Sequence, residues 1–477
     1  MAPISGSIES SDANPLATAL REIKEETSLP PSALELLRVG KPYSFIDEDL
    51  GREWTINPFA FRLKDKSEHG GVGEEGIAID WEHEGVEWYD PLAVKGTAEF
   101  GGVPRLVYSL RRVWPAFELG VEAGEALTAT LQSMRDDRES GARELAKMAI
   151  LTLKEVISKM DESAFNEAGW RNIRMAAWHL CKNGRESMSA AITSALLSVL
   201  SRIEGIATSR PLSSNTVPSI LKAIDEELTQ REHLMACVKQ NLSQYLRETL
   251  DNQIQSKGRA SILTLSSSST ISSTLLDAAR SLDAPLDLRI LESRPNCEGV
   301  SLASKFLQSA LAKGWADQNL RITLYTDASA AVAAADDGAG VGVILLGADR
   351  VNANGDVSNK TGSLPAVLSA RHASPGVKVA VLSDTEKVAG PGAPEEHVVE
   401  DNDPRELTSA WDHLGLQEAG KLLTSQDFVR VRNVYFEWVP ANLIDTYITE
   451  LGCWSTDEII HKSNSVNEAS DRFFKYL

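Results

Sequence analysis

The second half of the chain alternates short apolar runs with segments of helical length, and this pattern restricts the fold more than any other feature of the sequence. The apolar runs cover residues 262–265, 286–291, 322–325, 341–346, 377–382 and 429–435. Strands that are apolar throughout are typical of parallel sheets buried on both faces. We therefore predict a doubly wound α/β domain over residues 256–477, with its ligand site at the carboxyl ends of the strands.

The residues before this domain divide into two further units. Asn14 and Pro15 are suited to the N-cap and first position of a helix, and Phe59, Phe61 and Leu63 alternate as in a strand. Residues 1–100 are therefore predicted to form a small α+β domain. Residues 101–255 contain helical runs, such as 142–160 and 188–203, with almost no strand pattern, and predict an all-helical domain.

Charge and cysteine content exclude several classes of protein. The 48 Lys and Arg residues against 68 Asp and Glu residues give a formal charge of -20, which repels nucleic acids and anionic membranes. The four cysteines are far apart, which argues against a disulfide scaffold and a structural zinc site. We see no apolar stretch near the ~20 residues that cross a bilayer and no secretory pattern, so we expect a cytoplasmic protein.

Polar residues follow two of the predicted strands at the start of the next helix. Hydroxylated residues at 266–270 can present hydroxyl and backbone N–H groups to a phosphate, although the same residues would also serve as a plain helix cap. Arg294 follows the second strand and has the geometry for bidentate contact with a phosphate. We therefore expect an anion near this edge of the sheet.

The fourth apolar run is followed by an acid and then by a basic pair. Asp349 is placed for acid–base chemistry, and Asn359 with Lys360 can hold an anionic group. A turn built around Asn354 and Gly355 is the alternative interpretation, and it accounts for the glycine but not for Asp349 or Lys360.

Together these motifs resemble one superfamily: the regulatory alpha, beta and delta subunits of initiation factor 2B, methylthioribose-1-phosphate isomerase and ribose-1,5-bisphosphate isomerase. The resemblance runs from about Val103 to the C-terminus and implies a helical domain followed by a Rossmann-like domain. It is carried by residues 264–269, Arg294-Pro295 with Glu298-Gly299, residues 347–350 with Asn359-Lys360, Lys387 and residues 436–445.

The resemblance also implies roles for particular residues. In the family's isomerases an aspartate and a cysteine share the proton transfers, and Asp349 matches the aspartate while Ser266 stands at the cysteine position. A hydroxyl is a far weaker acid than a thiol, which argues against isomerase activity. Cys297 is more consistent with a half-buried structural cysteine than with a substitute for that thiol. The implied substrate-binding residues are Gly141, Ala142, Arg185, Arg294, Asn359, Lys360 and Lys387.

The resemblance implies two alternative functions for the part of the chain from about Val103 to the C-terminus. The first is a regulatory-subunit-like protein that binds a sugar phosphate or nucleotide between its helical and α/β domains without isomerase activity and without a cofactor. The second is an active aldose–ketose isomerase. The resemblance further implies a homodimer and translation-factor partners.

A separate motif lies near the N-terminus. Residues 21–29 resemble the core of a Nudix box, in which Glu22, Glu25 and Glu26 line one helical face and would bind magnesium. Ser28 replaces the glycine of the box, and Ala13 stands where an upstream glutamate is expected. A Mg-dependent diphosphate hydrolase is therefore a third hypothesis, and a solvated acidic helix face is its structural alternative.

Overall fold

The N-terminal part of the chain is an α+β unit built from one helix and two strand pairs. The computed structural model describes residues 2–48, 51–81, 83–137, 140–165, 168–209, 212–335, 340–392, 400–426 and 428–477. The N-terminal elements are α1 (Pro15–Thr27), β1 (Leu34–Val39), β2 (Tyr43–Asp47), β3 (Arg52–Ile56) and β4 (Phe59–Leu63). Strand β1 pairs with β4 and β2 pairs with β3, both antiparallel. The predicted helix start at Asn14 and Pro15 is confirmed.

A helical unit follows, in which α7 is the central helix. Its helices are α2 (Leu106–Val113), α3 (Ala116–Leu119), α4 (Val121–Asp136), α5 (Ala142–Lys159), α6 (Gly169–Asn183), α7 (Ser189–Ser209) and α8 (Val217–Lys257). The segment Glu186–Ser209 is long and apolar enough to cross a membrane, so the expectation that no such segment exists is wrong. Ile192, Leu196 and Leu200 of α7 are nevertheless fully buried in the helical core, which accounts for the composition of this helix.

The C-terminal unit alternates strands and helices, beginning with β5 (Ala260–Leu265). The following elements are α9 (Ser269–Arg280), β6 (Leu286–Leu291), α10 (Glu298–Ala312), α11 (Ala316–Asn319), β7 (Leu320–Tyr325), α12 (Ala330–Ala335), β8 (Val343–Leu346), β9 (Arg350–Val351), β10 (Val357–Lys360), α13 (Ser363–Ala373), β11 (Lys378–Leu382), β12 (Asp401–Asn402), α14 (Arg405–His413), α15 (Gln417–Thr424), β13 (Asn433–Val434), β14 (Phe436–Val439), β15 (Thr446–Thr449), β16 (Gly452–Trp454) and α16 (Thr456–Phe474).

The main sheet has seven strands in the order β16-β15-β11-β8-β5-β6-β7. Neighbouring strands from β15 to β7 are parallel, and β16 adds an antiparallel edge. Alternate residues of each central strand enter different apolar layers: Ile262 packs in the layer that contains α8 and α9, whereas Leu263 packs in the layer with α12 and α13. Both faces are buried, which is why these strands are apolar throughout. The predicted doubly wound α/β fold is confirmed.

One predicted strand of this sheet is wrong. Residues 429–435 were expected to form it, but only Asn433 and Val434 are in a strand there, paired with β12 outside the main sheet. The main sheet instead takes β15 as its next parallel strand. The chain continues from residues 429–435 into β14, which pairs with β10 in a small three-stranded sheet.

Hydrogen bonds attach the N-terminal unit to the helical unit. The backbone N–H of Val39 in β1 donates to Asn183 Oδ1 at 2.6 Å, and Asn183 Nδ2 returns a bond to the Val39 carbonyl at 3.0 Å. Arg135 of α4 donates to the carbonyl oxygens of Leu37 and Asn183. The end of α6 therefore takes the place of a neighbouring strand at this edge of β1.

The N-cap of α1 yields a local stability prediction. Asn14 Oδ1 accepts the Ala17 N–H at 2.9 Å. Its replacement by alanine should destabilise the first turn by about 1 kcal/mol, because the cap satisfies one of the helix's free N–H groups. We expect the amides of that turn to exchange hydrogen about fivefold faster in Asn14→Ala, whereas Asn14→Asp keeps the wild-type rate. Equal rates in all three proteins would show that the cap contributes nothing.

Candidate functional site

The carboxyl ends of the parallel strands bring several predicted residues to one edge of the sheet. Ser266 follows β5, Arg294 follows β6, Asp349 follows β8 and Lys387 follows β11. Asp349 starts the hairpin of β9 and β10, and its backbone N–H donates to the Ser358 carbonyl at 2.9 Å. These residues therefore lie at the same edge of the sheet, with Asp349 after the central strand β8.

Asp349 is surrounded by positive charge. Lys387, Lys360 and Arg185 act on its carboxyl group electrostatically, and each of these side chains is at most 5% exposed. Lys387 Nζ donates to the Ala348 carbonyl at 2.6 Å, next to Asp349. Burial raises the pKa of Asp349, and the three cations oppose this effect without cancelling it. The protonated acid is therefore favoured more than in a solvated aspartate.

Glu298 connects two of the predicted site residues. Ser266 Oγ donates to Glu298 Oε2 at 3.0 Å, and Lys360 Nζ donates to Glu298 Oε1 at 2.7 Å. Lys360 Nζ also lies 3.8 Å from the centre of the Tyr435 ring, close enough for a cation–π contact. Glu298 and Tyr435 were not predicted as site residues. Glu298 belongs to one of the motifs that carry the family resemblance and starts a helix after a strand, but neither signal showed that it pairs with Ser266 and Lys360.

Arg185 brings the helical unit to the site. Its guanidinium donates to Glu400 Oε1 at 2.7 Å and to the Asp137 carbonyl at 3.0 Å. Burial acts to raise the pKa of Glu400, but hydrogen bonding and the charge of Arg185 outweigh it, so the pKa is lowered. This buried ion pair joins the helical unit to the α/β unit.

Gly141 and Ala142 lie at the N-terminus of α5, facing the N-terminus of α9. A side-chain carbon added at Gly141 would lie 3.9 Å from Ser269 Oγ. Ser268 caps α9 by accepting the Ile271 N–H at 3.3 Å. The positive ends of two helices therefore meet at the site.

The remaining predicted residues lie around this centre. Arg294 is exposed, and its backbone N–H donates to Asp327 at 2.8 Å, which places it at the rim. Asn359 is buried and donates to Ser363 Oγ at 2.9 Å. Cys297 is partly buried, with Sγ 3.8 Å from the Pro295 carbonyl, as expected of a structural cysteine. The turn around Asn354 and Gly355 also forms, in addition to the site rather than instead of it.

The glutamates of the N-terminal box make contacts within the chain. Arg21 bridges Glu22 and Glu25 at 2.8 and 2.9 Å, and its Nη2 also donates to the Ser7 carbonyl. Burial raises the pKa of Glu26, which accepts from the Ser5 N–H and lies 3.1 Å from the His83 ring. The three glutamates therefore have partners within the protein.

These contacts do not fit a magnesium site. Within the part of the chain that the structure describes, no three His, Cys, Asp or Glu side chains are arranged to hold a metal ion. The arginine pairs with two of the three carboxylates, and the segment from Ser5 to Ser7 lies against the same face. The magnesium-dependent hydrolase stays a prediction.

Two protein-family models match this chain, one over its N-terminal part and one over most of the remainder. The model described as the initiation factor 2 subunit family matches residues 138–456, more than half of the chain. The chain belongs to the initiation factor 2 subunit family. A NUDIX domain model matches residues 2–108. The two resemblances inferred from the strand-end motifs and from the N-terminal box are thus confirmed.

Relatives of this family member include methylthioribose-1-phosphate isomerases. One from Paracoccidioides brasiliensis (strain Pb18) is 30% identical over 298 residues, which are 54% of this chain and 75% of that protein. One from Vitis vinifera is 26% identical over 350 residues, which are 71% of this chain and 85% of that protein. A solved structure of the translation initiation factor eIF-2B from Pyrococcus horikoshii OT3 is 20% identical, with a TM-score of 0.48, and covers 69% of this chain and 96% of that chain.

The raised pKa of Asp349 predicts a pH-dependent stability for this family member. A carboxyl whose folded-state pKa is raised stabilises the fold below its unfolded pKa, and this contribution is lost as pH rises through the folded pKa. We therefore expect Asp349→Asn to gain stability relative to the wild type as pH rises above about 4, the pKa of an aspartate in the unfolded chain. Urea unfolding at each pH measures this. A difference that stays constant or falls contradicts the prediction.

Proposed function

We propose that this protein binds a phosphorylated sugar or nucleotide at the edge of the sheet beside Asp349, between the helical and α/β units. The observation that carries the proposal is the convergence of three buried cationic side chains, Arg185, Lys360 and Lys387, on one carboxyl group. Buried cations of this kind are placed to bind anions, and arginine and lysine are the usual partners of phosphate.

The helix termini support the same ligand class. Two helix N-termini meet where Gly141 approaches Ser269. Each terminus offers free backbone N–H groups and a partial positive charge, which favour a phosphate. Arg185 enters from the helical unit on the same side as Gly141, so a ligand there would contact both units.

Two of the three cationic side chains already form ion pairs with carboxylates of the protein. Arg185 is paired with Glu400 and Lys360 with Glu298, whereas Lys387 donates to a backbone carbonyl beside Asp349. A bound phosphate competes with Glu298 and Glu400, and it gains most from Lys387. We therefore expect Lys387 to contribute most to binding.

The proposal includes binding without isomerase turnover. Ser266 stands where the family's isomerases have a cysteine, and its hydroxyl donates to Glu298. A hydroxyl neither loses nor transfers a proton near neutral pH as a thiol does. Asp349 is then left without its partner for moving the C2 proton of an aldose.

Calorimetric titration tests the binding proposal. We expect ribose 5-phosphate, ribose 1,5-bisphosphate or adenosine monophosphate to bind the wild type, and Lys387→Met to weaken that binding at least about tenfold, as for a lost charge-assisted hydrogen bond. Lys305→Met, which alters an exposed lysine of α10, is the matched control. Thermal unfolding verifies that both variants fold. No heat with any of the three compounds removes the proposal.

An active sugar-phosphate isomerase is the second candidate. The 30% identity to a methylthioribose-1-phosphate isomerase favours it, as does the raised pKa of Asp349, which suits a proton donor. Incubation with methylthioribose 1-phosphate and with ribose 1,5-bisphosphate, followed by detection of the ketose, decides between the candidates. Product formed by the wild type and lost in Asp349→Asn establishes the isomerase.

The homodimer is a further proposal and has its own test. Light scattering at micromolar concentration should give twice the chain mass of 51.8 kDa. A single-chain mass at that concentration rejects the homodimer.

A further inference from the structure

A cavity of about 340 Å³ lies apart from Asp349. Helices α7, α8 and α16 form three of its sides, and the turn after β11 adds Thr385 and Glu386 to its lining. The next residue, Lys387, belongs to the site beside Asp349. The cavity thus lies between the helical and α/β units, on the other side of one short turn.

One wall of the cavity carries buried carboxylates. Glu227 is 6% exposed and accepts from Ser198 Oγ at 2.7 Å. Glu450 is 9% exposed and accepts from the backbone N–H and the hydroxyl of Thr385, at 3.0 and 2.5 Å. Glu386 is paired with Arg231 of α8. Carboxylates held by this many donors form a built polar wall rather than a chance surface cluster.

Cations and apolar side chains complete the lining. Arg231 is 7% exposed and pairs with Glu386, Lys462 of α16 is half-buried, and Glu227 also pairs with Arg202 of α7, so charges of both signs surround the cavity. Leu197, Leu234 and Val466 supply an apolar wall. A ligand with one kind of charge would leave the opposite groups of this lining desolvated and poorly paired, whereas a ligand with both charges pairs with each.

We propose that this cavity is a second ligand site that takes a zwitterion, an α-amino acid with an apolar side chain. The ammonium group binds Glu386 and Glu450, the carboxylate accepts from Lys462 and Arg231, and the side chain packs against Leu234 and Val466. A cavity of about 340 Å³ holds a molecule of this size. The site is independent of the function proposed for the Asp349 edge.

The electrostatics of the cavity agree with an ammonium group at this wall. Burial raises the pKa of Glu386 to about 7; Arg231 opposes this, and Asp384 and Glu450 add to it. Asp384 is 7% exposed, and its Oδ1 has no hydrogen-bond partner among the described residues. A positive group beside Glu386 relieves the repulsion among these three carboxylates.

Calorimetry with leucine and two single-charge analogues tests the proposal. We expect leucine to bind, and 3-methylbutylamine and 4-methylpentanoate, which each lack one charge, to bind at least about tenfold more weakly. Glu386→Gln and Lys462→Met should weaken leucine binding by a similar factor. Glu232→Gln, which alters an exposed glutamate of the same helix α8, should not.

The outcomes separate the two sites. Asp349→Asn should leave leucine binding unchanged, because Asp349 does not line the cavity. Lys462 has no buried ion-pair partner in the described structure, so its variant folds even if Glu386→Gln does not. The proposal is overturned if leucine does not bind, if an analogue binds equally well, or if Lys462→Met binds leucine as the wild type does.

Discussion

Replacement of Ser266 by cysteine is expected to increase ketose formation from a sugar 1-phosphate by about 100-fold or more. Ser266 Oγ lies 3.0 Å from Glu298 Oε2. Ser266 follows β5 and Asp349 follows β8, so both lie at the carboxyl-end edge of the main sheet. A thiol there restores the second proton-transfer group, and a positioned acid or base contributes about 10²–10⁴-fold to a rate. Initial rates with methylthioribose 1-phosphate and ribose 1,5-bisphosphate measure the effect.

Two variants serve as controls for this experiment. Ser267→Cys introduces the same thiol one residue away, and Ser266→Ala removes the hydroxyl without adding a thiol; neither should gain activity. If Ser266→Cys binds the sugar phosphate as the wild type does and forms ketose no faster, the missing thiol does not limit the reaction. The isomerase interpretation of the pocket then loses its chemical basis.

Arg289→Met is expected to destabilise the protein by about 3–5 kcal/mol, because it leaves a carboxylate buried without its cation. Arg289 is 1% exposed in β6 and donates to Asp287 Oδ2 at 2.8 and 2.9 Å. It also donates to the Ala333 carbonyl at 2.7 Å, so it joins the sheet to α12. Chemical unfolding measures the loss.

The exposed pair of Arg405 and Asp403 provides the comparison. The Arg405 side chain is 88% exposed, so Arg405→Met should leave the free energy of unfolding nearly unchanged. The double variant with Asp287→Asn and Arg289→Met should lose less than Arg289→Met alone, since no charge is then left buried. A loss below about 1 kcal/mol for Arg289→Met would show that Asp287 is solvated in the protein.

The sequence was most informative where one physical rule governs many residues. Strands buried on both faces must be apolar throughout, so β5, β6, β8 and β11 could be located from composition alone. Parallel strands all end at one edge, which is why Ser266, Asp349 and Lys387 could be expected together before any coordinates.

Pairings between distant residues could not be predicted in this way. Glu298 and Glu400 contact Lys360 and Arg185 from segments 62 and 215 residues away, and no local pattern specifies those partners. The box glutamates had the spacing of a metal site, but spacing does not show that Arg21 pairs with them. An apolar run at 429–435 carried no sign of which sheet it would join.

The hydrogen bonds of Asn183 connect the N-terminal unit to Arg185 through a short segment of backbone. Asn183 bonds to both the N–H and the carbonyl of Val39, and Arg185, only two residues later, is paired with Glu400. The segment between them contains a single residue, Gly184, and so has little slack. A displacement of the N-terminal unit is therefore transmitted to Arg185, and so to its ion pair with Glu400, across one intervening residue.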